Sequence, residues 1–226
     1  MDNDRKKQYV DMKCFLEYES VKNNIVYKLI NTERNRELLE DIPYIEFLDL
    51  SVVFQCLLSQ KESRLETLLI HNVHTKLWDV TVVDLYRAAK ENTGRLLPYE
   101  IKDMVDVILE IMKTEGTEEF DYEESMVEPE SNKVMYVLSN QKRIEGAVCI
   151  MYPGLLRDFA DGIGSGFYII PASVHEVLLL PSENPEDREE LKTMVREIND
   201  TKLEAGEILS YSLYWFDKSK GKVCIL

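Results

Sequence analysis

At 226 residues the chain suits one large domain or two small ones, and its 45% apolar and 31% charged residues exclude global disorder and fibrous repeats. Its 42 acids against 27 bases leave a net charge of −15, which repels phosphate backbones and anionic headgroups, so neither nucleic acid nor a membrane is an expected partner. No apolar run reaches the roughly 18 residues of a membrane span, the start MDNDRKKQYVDMKCF lacks the apolar core of a signal peptide, and a cytoplasmic location is expected.

NIVYKLIN (24–31) and FLDLSVVFQCLL (47–58) read as strands from their β-branched and aromatic content, with RLETLLIHN (64–72) after a charged turn; two of these make a hairpin. Thr81 with Asp84 three residues on forms a capping box that opens a helix, on which Val82, Leu85, Tyr86 and Ala89 share a face and which Gly94 ends. A second helix is predicted from Tyr99 to Met112, with Ile101, Met104, Val105, Ile108 and Met112 as its stripe. Residues 115–130, EGTEEFDYEESMVEPE, then hold eight acids and no base, with Gly116 and Pro129 to break regular structure.

Beyond this stretch the pattern changes to short strands around one brief helix: VMYVLS, GAVCIMY, the helix PGLLRDFADGI, then FYII and HEVLLL. Asn184 and Pro185 start a helix with Leu191, Met194, Val195 and Ile198 buried, and SLYWFDKSKGKVCIL closes as a hairpin. The expectation is an α+β fold of mixed, largely antiparallel sheets packed by amphipathic helices. It falls in two parts, 13–113 and 133–226, joined by an acidic linker or loop at 114–132. Cys14, Cys56, Cys149 and Cys224 lie far apart without a CxxC pair, so free thiols are expected rather than a zinc or redox motif.

The run MYVLSNQKRIEGAVCIMYPGLLRDFADGIGSGFYIIPASVHEVLLLP, with the later MVREINDTKLEAGEILSYSLYWFD and the earlier KLINTERNRELLEDIPYIEFLDLSVVF, resembles domain-of-unknown-function family 5688, bacterial proteins best represented among gut clostridia. The resemblance covers about residues 13–226. It implies no catalytic residue, cofactor or partner, and since members extend further at the amino end, a function residing there would lie outside this sequence.

Three clusters have the residue types of a site. Ser173 and His175, in GFYIIPASVHEVLLLP, are a candidate nucleophile and base. If FYII and VHEVLLL are consecutive strands, alternation sends Ser173 and His175 to one face and Glu176 to the other. A turn serine and a partly buried structural histidine then account for them more simply. His71 and His74, in HNVHTKLWD, stand at the i, i+3 spacing of two metal ligands, with Asp79 or His175 to complete the set, though the glutamate of HExxH is missing. Tyr152, Tyr168, Tyr211, Tyr214 and Trp215 are candidates for an aromatic binding surface, against the usual role of strand aromatics as core. The glycines of GIGSG (162–166) follow a helix and precede a strand, the reverse of a dinucleotide fingerprint, and fit a helix stop.

The leading expectation is therefore a non-enzymatic module that binds a protein or small ligand through its second part, without a cofactor. The alternative is a hydrolase built on Ser173 and His175, metal-assisted through His71 and His74.

Overall fold

The β-branched and aromatic runs pair into two antiparallel sheets in the computed structural model, which describes residues 15–61, 64–115, 134–182 and 188–226. In the first sheet a short helix, α1 (Tyr18–Val21), precedes β1 (Ile25–Asn31), and α2 (Arg36–Leu39) leads to β2 (Tyr44–Phe47). The long β3 (Leu50–Lys61) is the spine of this sheet. It takes β1 on one side, with β2 and β4 (Arg64–Leu69) also paired to it. The segment 47–58 is thus two strands: the chain turns at Leu48, whose φ is 58°, and Asp49, a reversal that an unbroken apolar pattern conceals. Along β3, Leu50, Val52, Phe54 and Cys56 face the main core, while Val53 packs against Leu39 and Ile42 on the opposite face.

Next come α3 (Asn72–Trp78) and α4 (Val82–Leu96). The capping box of α4 forms as expected: the Thr81 and Asp84 side chains each bond the other's backbone N–H. Leu85 and Ala89 are buried, and Val82 and Tyr86 pack beside them. Gly94 does not end the helix, which runs two residues further, to Leu96.

The predicted helix 99–112 divides instead. Tyr99–Asp103 is β5, whose residues pair with Asn140 to Tyr136, and the helix α5 (Met104–Glu115) begins only where the Asp103 carboxylate accepts the Val105 N–H at 2.8 Å. Sheet pairing overrides the helical spacing here, and on α5 Val107 is buried while Val105 is 40% exposed.

The second sheet has the order β10-β9-β7-β8-β6-β5, from β6 (Tyr136–Asn140), β7 (Gly166–Pro171), β8 (Val177–Ser182), β9 (Tyr214–Asp217) and β10 (Lys222–Ile225). Between β6 and β7 lie a buried 3₁₀ turn, Gly146–Met151, and α6 (Leu155–Ile163). The turn occupies GAVCIMY, predicted as a strand. Buried from Gly146 to Ile150, it has no polar face to reveal its period. The last helix, α7 (Arg188–Thr201), buries Leu191 and Val195.

The second sheet is covered on both faces. Phe167, Ile169, Val177, Leu179, Tyr214 and Phe216 join the first sheet, α4 and α6 in one core; Tyr168, Ile170, Leu178, Leu180 and Trp215 join Val107 of α5 and Leu191 and Val195 of α7 in another. Strand alternation alone accounts for this division. Residues on either side of 114–132 share the main core, and β5 pairs with β6 across that stretch. Residues 116–132, the bulk of the expected linker, lie outside the described residues, as does Cys14. Every pairing among the described strands is antiparallel, and the fold is α+β.

Candidate binding site

Ser173 and His175 lie in the tight connection from β7 to β8, not on a continuing strand. The Ser173 N–H donates to the Glu176 carbonyl (3.1 Å) and the His175 N–H donates to Ser173 Oγ (3.0 Å), a closed local turn. The half-buried imidazole turns elsewhere. Its Nδ1 accepts the Glu145 N–H at 3.1 Å, which leaves the proton of the neutral ring on Nε2, 3.8 Å from the Glu207 carboxylate. The hydroxyl and the imidazole therefore serve different partners and are not brought together as nucleophile and base.

Glu145 itself has φ 54° and carries the junction between the sheets: its carboxylate accepts from Lys28 Nζ at 2.6 Å and Gln55 Nε2 at 2.5 Å. The next residue must be glycine, because a Cβ on Gly146 would lie 2.1 Å from Ser139 Oγ and 2.5 Å from the His175 carbonyl.

His71 precedes the first turn of α3. His74 Nδ1 accepts the His71 N–H at 2.8 Å, and its ring stacks on Trp78 with centroids 5.4 Å apart. That bond puts the proton of the neutral ring on Nε2, so while it holds neither nitrogen offers a metal a free lone pair. Burial, then the neighbouring His71, lowers the His74 pKa, which keeps the ring neutral as that bond requires. His71 Nδ1 pairs with Asp41 at 2.7 Å, and no group of three or more metal-ligating side chains exists among the described residues.

Of the five aromatic candidates, four are buried. Tyr152 donates its hydroxyl to the Leu97 carbonyl at 2.7 Å, and Tyr168 and Trp215 pack edge to face at 5.0 Å. Tyr214 is fully buried and donates to Asp49 at 2.6 Å; burial, then the Asp49 charge, raises the pKa of its hydroxyl. Tyr211 is exposed and donates to Asp200 at 2.9 Å.

A different surface has the shape of a site. A cleft of about 400 Å³ opens where the end of β2 meets α6 and the β9–β10 hairpin. Phe47, Met151, Phe216 and Val223 supply apolar walls, Arg157 of α6 supplies charge, and Lys222 of β10 borders the cleft. No acid lines it, and neither cation has an ion-pair partner among the described residues.

The hairpin is shaped for this. The Asp217 carboxylate accepts from the Lys220 ammonium at 2.8 Å, the Ser219 hydroxyl at 2.6 Å and the Lys220 N–H at 3.1 Å, bonds that in this order of bearing, the backbone one least, hold its pKa well below the usual carboxylate range. Gly221 follows at φ +61°, and a Cβ there would lie 2.2 Å from an Arg157 guanidinium nitrogen, so the turn forms a seat on which the guanidinium rests. Beside the cleft, Gly164 closes α6 by donating its N–H to the Ala160 carbonyl (3.0 Å), so the GIGSG glycines end a helix as expected.

The model of a family of unknown function, DUF5688, matches residues 1–218. The chain belongs to DUF5688. No curated protein and no solved structure matches it. Sequence reasoning for this DUF5688 chain missed Arg157 and Lys222, which are 65 positions apart and meet only because α6 and the β9–β10 hairpin flank the same core. One local signal was present: Arg157 is the single base in LLRDFADGI. No helix among the described residues is long and apolar enough to cross a membrane.

Proposed function

We propose that this chain is a non-enzymatic binding module whose working surface is the cleft over Arg157 and Lys222, and that its partner presents an anionic group beside an apolar stem. The observation that carries this reading is a local reversal of charge. In a chain of net charge −15, the eleven residues lining the cleft include two cations and no anion. The Arg157 guanidinium at the cleft has no counter-charge among the described residues, and an anionic group supplies one.

The bulk negative charge does not oppose this at short range, because it is screened beyond about 10 Å at 0.1 M salt. The walls formed by Phe47, Met151 and Phe216 accept an apolar stem and lower the local dielectric. A cytoplasmic setting, where thiols stay reduced, suits buried Cys149, whose thiol pKa is pushed up to about 12 by burial.

The test is thermal stabilisation by hexanoate and hexyl phosphate, with acetate as the stemless control. The wild-type Tm should rise with either six-carbon anion and less with acetate, and the rise should vanish in the Arg157→Gln/Lys222→Gln double variant. No rise, or an equal rise in the variant, defeats the reading.

A further inference from the structure

We infer that the partner is an extended acidic peptide that adds a strand to the open edge of β10; this rests on the cleft being the binding surface. β10 ends the order of its sheet, with β9 on one side and no strand on the other among the described residues. Its hydrogen-bonding parity follows from one bond and the register. The Leu226 N–H donates to the Leu213 carbonyl at 3.0 Å, and the pairing from Ile225↔Tyr214 back to Lys222↔Asp217 continues that alignment.

In an antiparallel pair, directly opposed residues alternate between exchanging both backbone bonds and exchanging none. Cys224 and Lys222 therefore bond to β9, and Val223 and Ile225 direct their N–H and C=O groups outward. The edge offers two donors and two acceptors at the two-residue spacing of a strand. It is not closed by a proline, and Ile225 is 45% exposed.

The same strand carries the recognition elements. Lys222 and Val223 line the cleft together with Arg157 and Phe47. A strand laid about 4.8 Å from β10 brings alternate side chains over the Val223 face of the sheet, so an acidic side chain there meets Arg157 while its neighbours along that face meet Phe47 and Met151. A small anion would leave the four backbone groups of Val223 and Ile225 unused. A second copy of the chain would bring another charge of −15 to the same edge. A peptide that is acidic at one position and apolar around it uses Arg157, the walls and the edge at once.

A phage library of randomised octapeptides panned on the full chain provides the probe, with the most enriched sequence then made as a blocked synthetic peptide. The expected winners carry Asp or Glu among β-branched and aromatic residues. Their affinity should fall at least tenfold on changing that acid to its amide, and at least tenfold in the Arg157→Gln/Lys222→Gln variant. Bound peptide should slow amide exchange at least tenfold at Val223 and Ile225, with far less change at Cys224, which is already paired.

An empty selection, winners without acids, or winners that leave the Val223 and Ile225 amides unprotected overturn the inference. If the six-carbon anions still raise Tm through Arg157 and Lys222, the cleft stands and only the peptide is wrong. If they do not, both fall.

Discussion

Replacing Asp49 with alanine should be among the most damaging single changes outside the apolar core. Asp49 sits at the β2–β3 turn of the first sheet, yet its carboxylate accepts hydroxyls from β9 of the second and the segment leading into it: Ser210 at 2.5 Å, Ser212 at 2.9 Å and Tyr214 at 2.6 Å. Ser210 and Tyr214 are fully buried, so truncation orphans two hydroxyls that water does not reach in the native fold. At about 1–3 kcal/mol for each abandoned buried group, the loss is about 2–6 kcal/mol. A chain of 226 residues has an unfolding entropy of about 0.5 kcal/mol per degree, so Tm should fall by about 4–12 °C. Urea denaturation and thermal melts of Asp49→Ala, Tyr214→Phe and the double variant measure both the loss and the coupling. The two single losses should sum to about 1–2 kcal/mol more than the double loss, since removing either partner already breaks the bond. A loss below about 0.5 kcal/mol, or strict additivity, would show that these hydroxyls are solvated and that the link between the sheets is not stabilising.

His175→Ala should cost about 1–2 kcal/mol by leaving the Glu145 N–H without its acceptor; labelling of Ser173 by a serine-directed probe, dependent on His175, would contradict this structural role. Because burial lowers the His74 pKa, the unfolded chain binds that proton more tightly than the folded one. Its contribution to stability is full above the ordinary value of ~6.5 and is lost as pH falls from there through the lower folded value. Denaturation midpoints at pH 7.5 and 5.5 should therefore differ more in wild type than in His74→Asn, and an equal difference refutes the assignment. Brief iodoacetamide treatment at pH 8 followed by peptide mass mapping should find Cys224 modified and Cys149 untouched until the chain is unfolded, as their exposed and buried positions require; early labelling of Cys149 would show that the 3₁₀ turn opens.

Local chemistry made much of this fold legible. The Thr81–Asp84 box, the Leu191 and Val195 stripe and the DKSKG turn each depend on residues within a few positions of one another, and each forms where the pattern puts it. Reading failed where a distant partner decided the outcome. Tyr99–Asp103 is a strand only because β6 waits beyond the acidic stretch, and Gly146–Met151 is a buried turn because Gly146 must pass close to Ser139 and His175. The site failed for the same reason. Paired histidines and a serine beside a histidine stand out in a sequence, but here His74, His175 and Ser173 accept backbone N–H groups and His71 pairs with Asp41. Arg157 and Lys222 carry no recognisable spacing, and only the closure of α6 against the β9–β10 hairpin makes them neighbours.

The most direct test of the cleft is a titration of isotope-labelled protein with hexanoate, followed through backbone amide shifts in wild type and in the Arg157→Gln/Lys222→Gln variant. Saturable shifts should cluster at Met151, Arg157, Lys222 and Val223, with the apparent Kd at least tenfold weaker in the variant, a loss of about 1.4 kcal/mol or more. Shifts scattered over the surface, or an unchanged Kd in the variant, would contradict the assignment of this cleft as the binding surface.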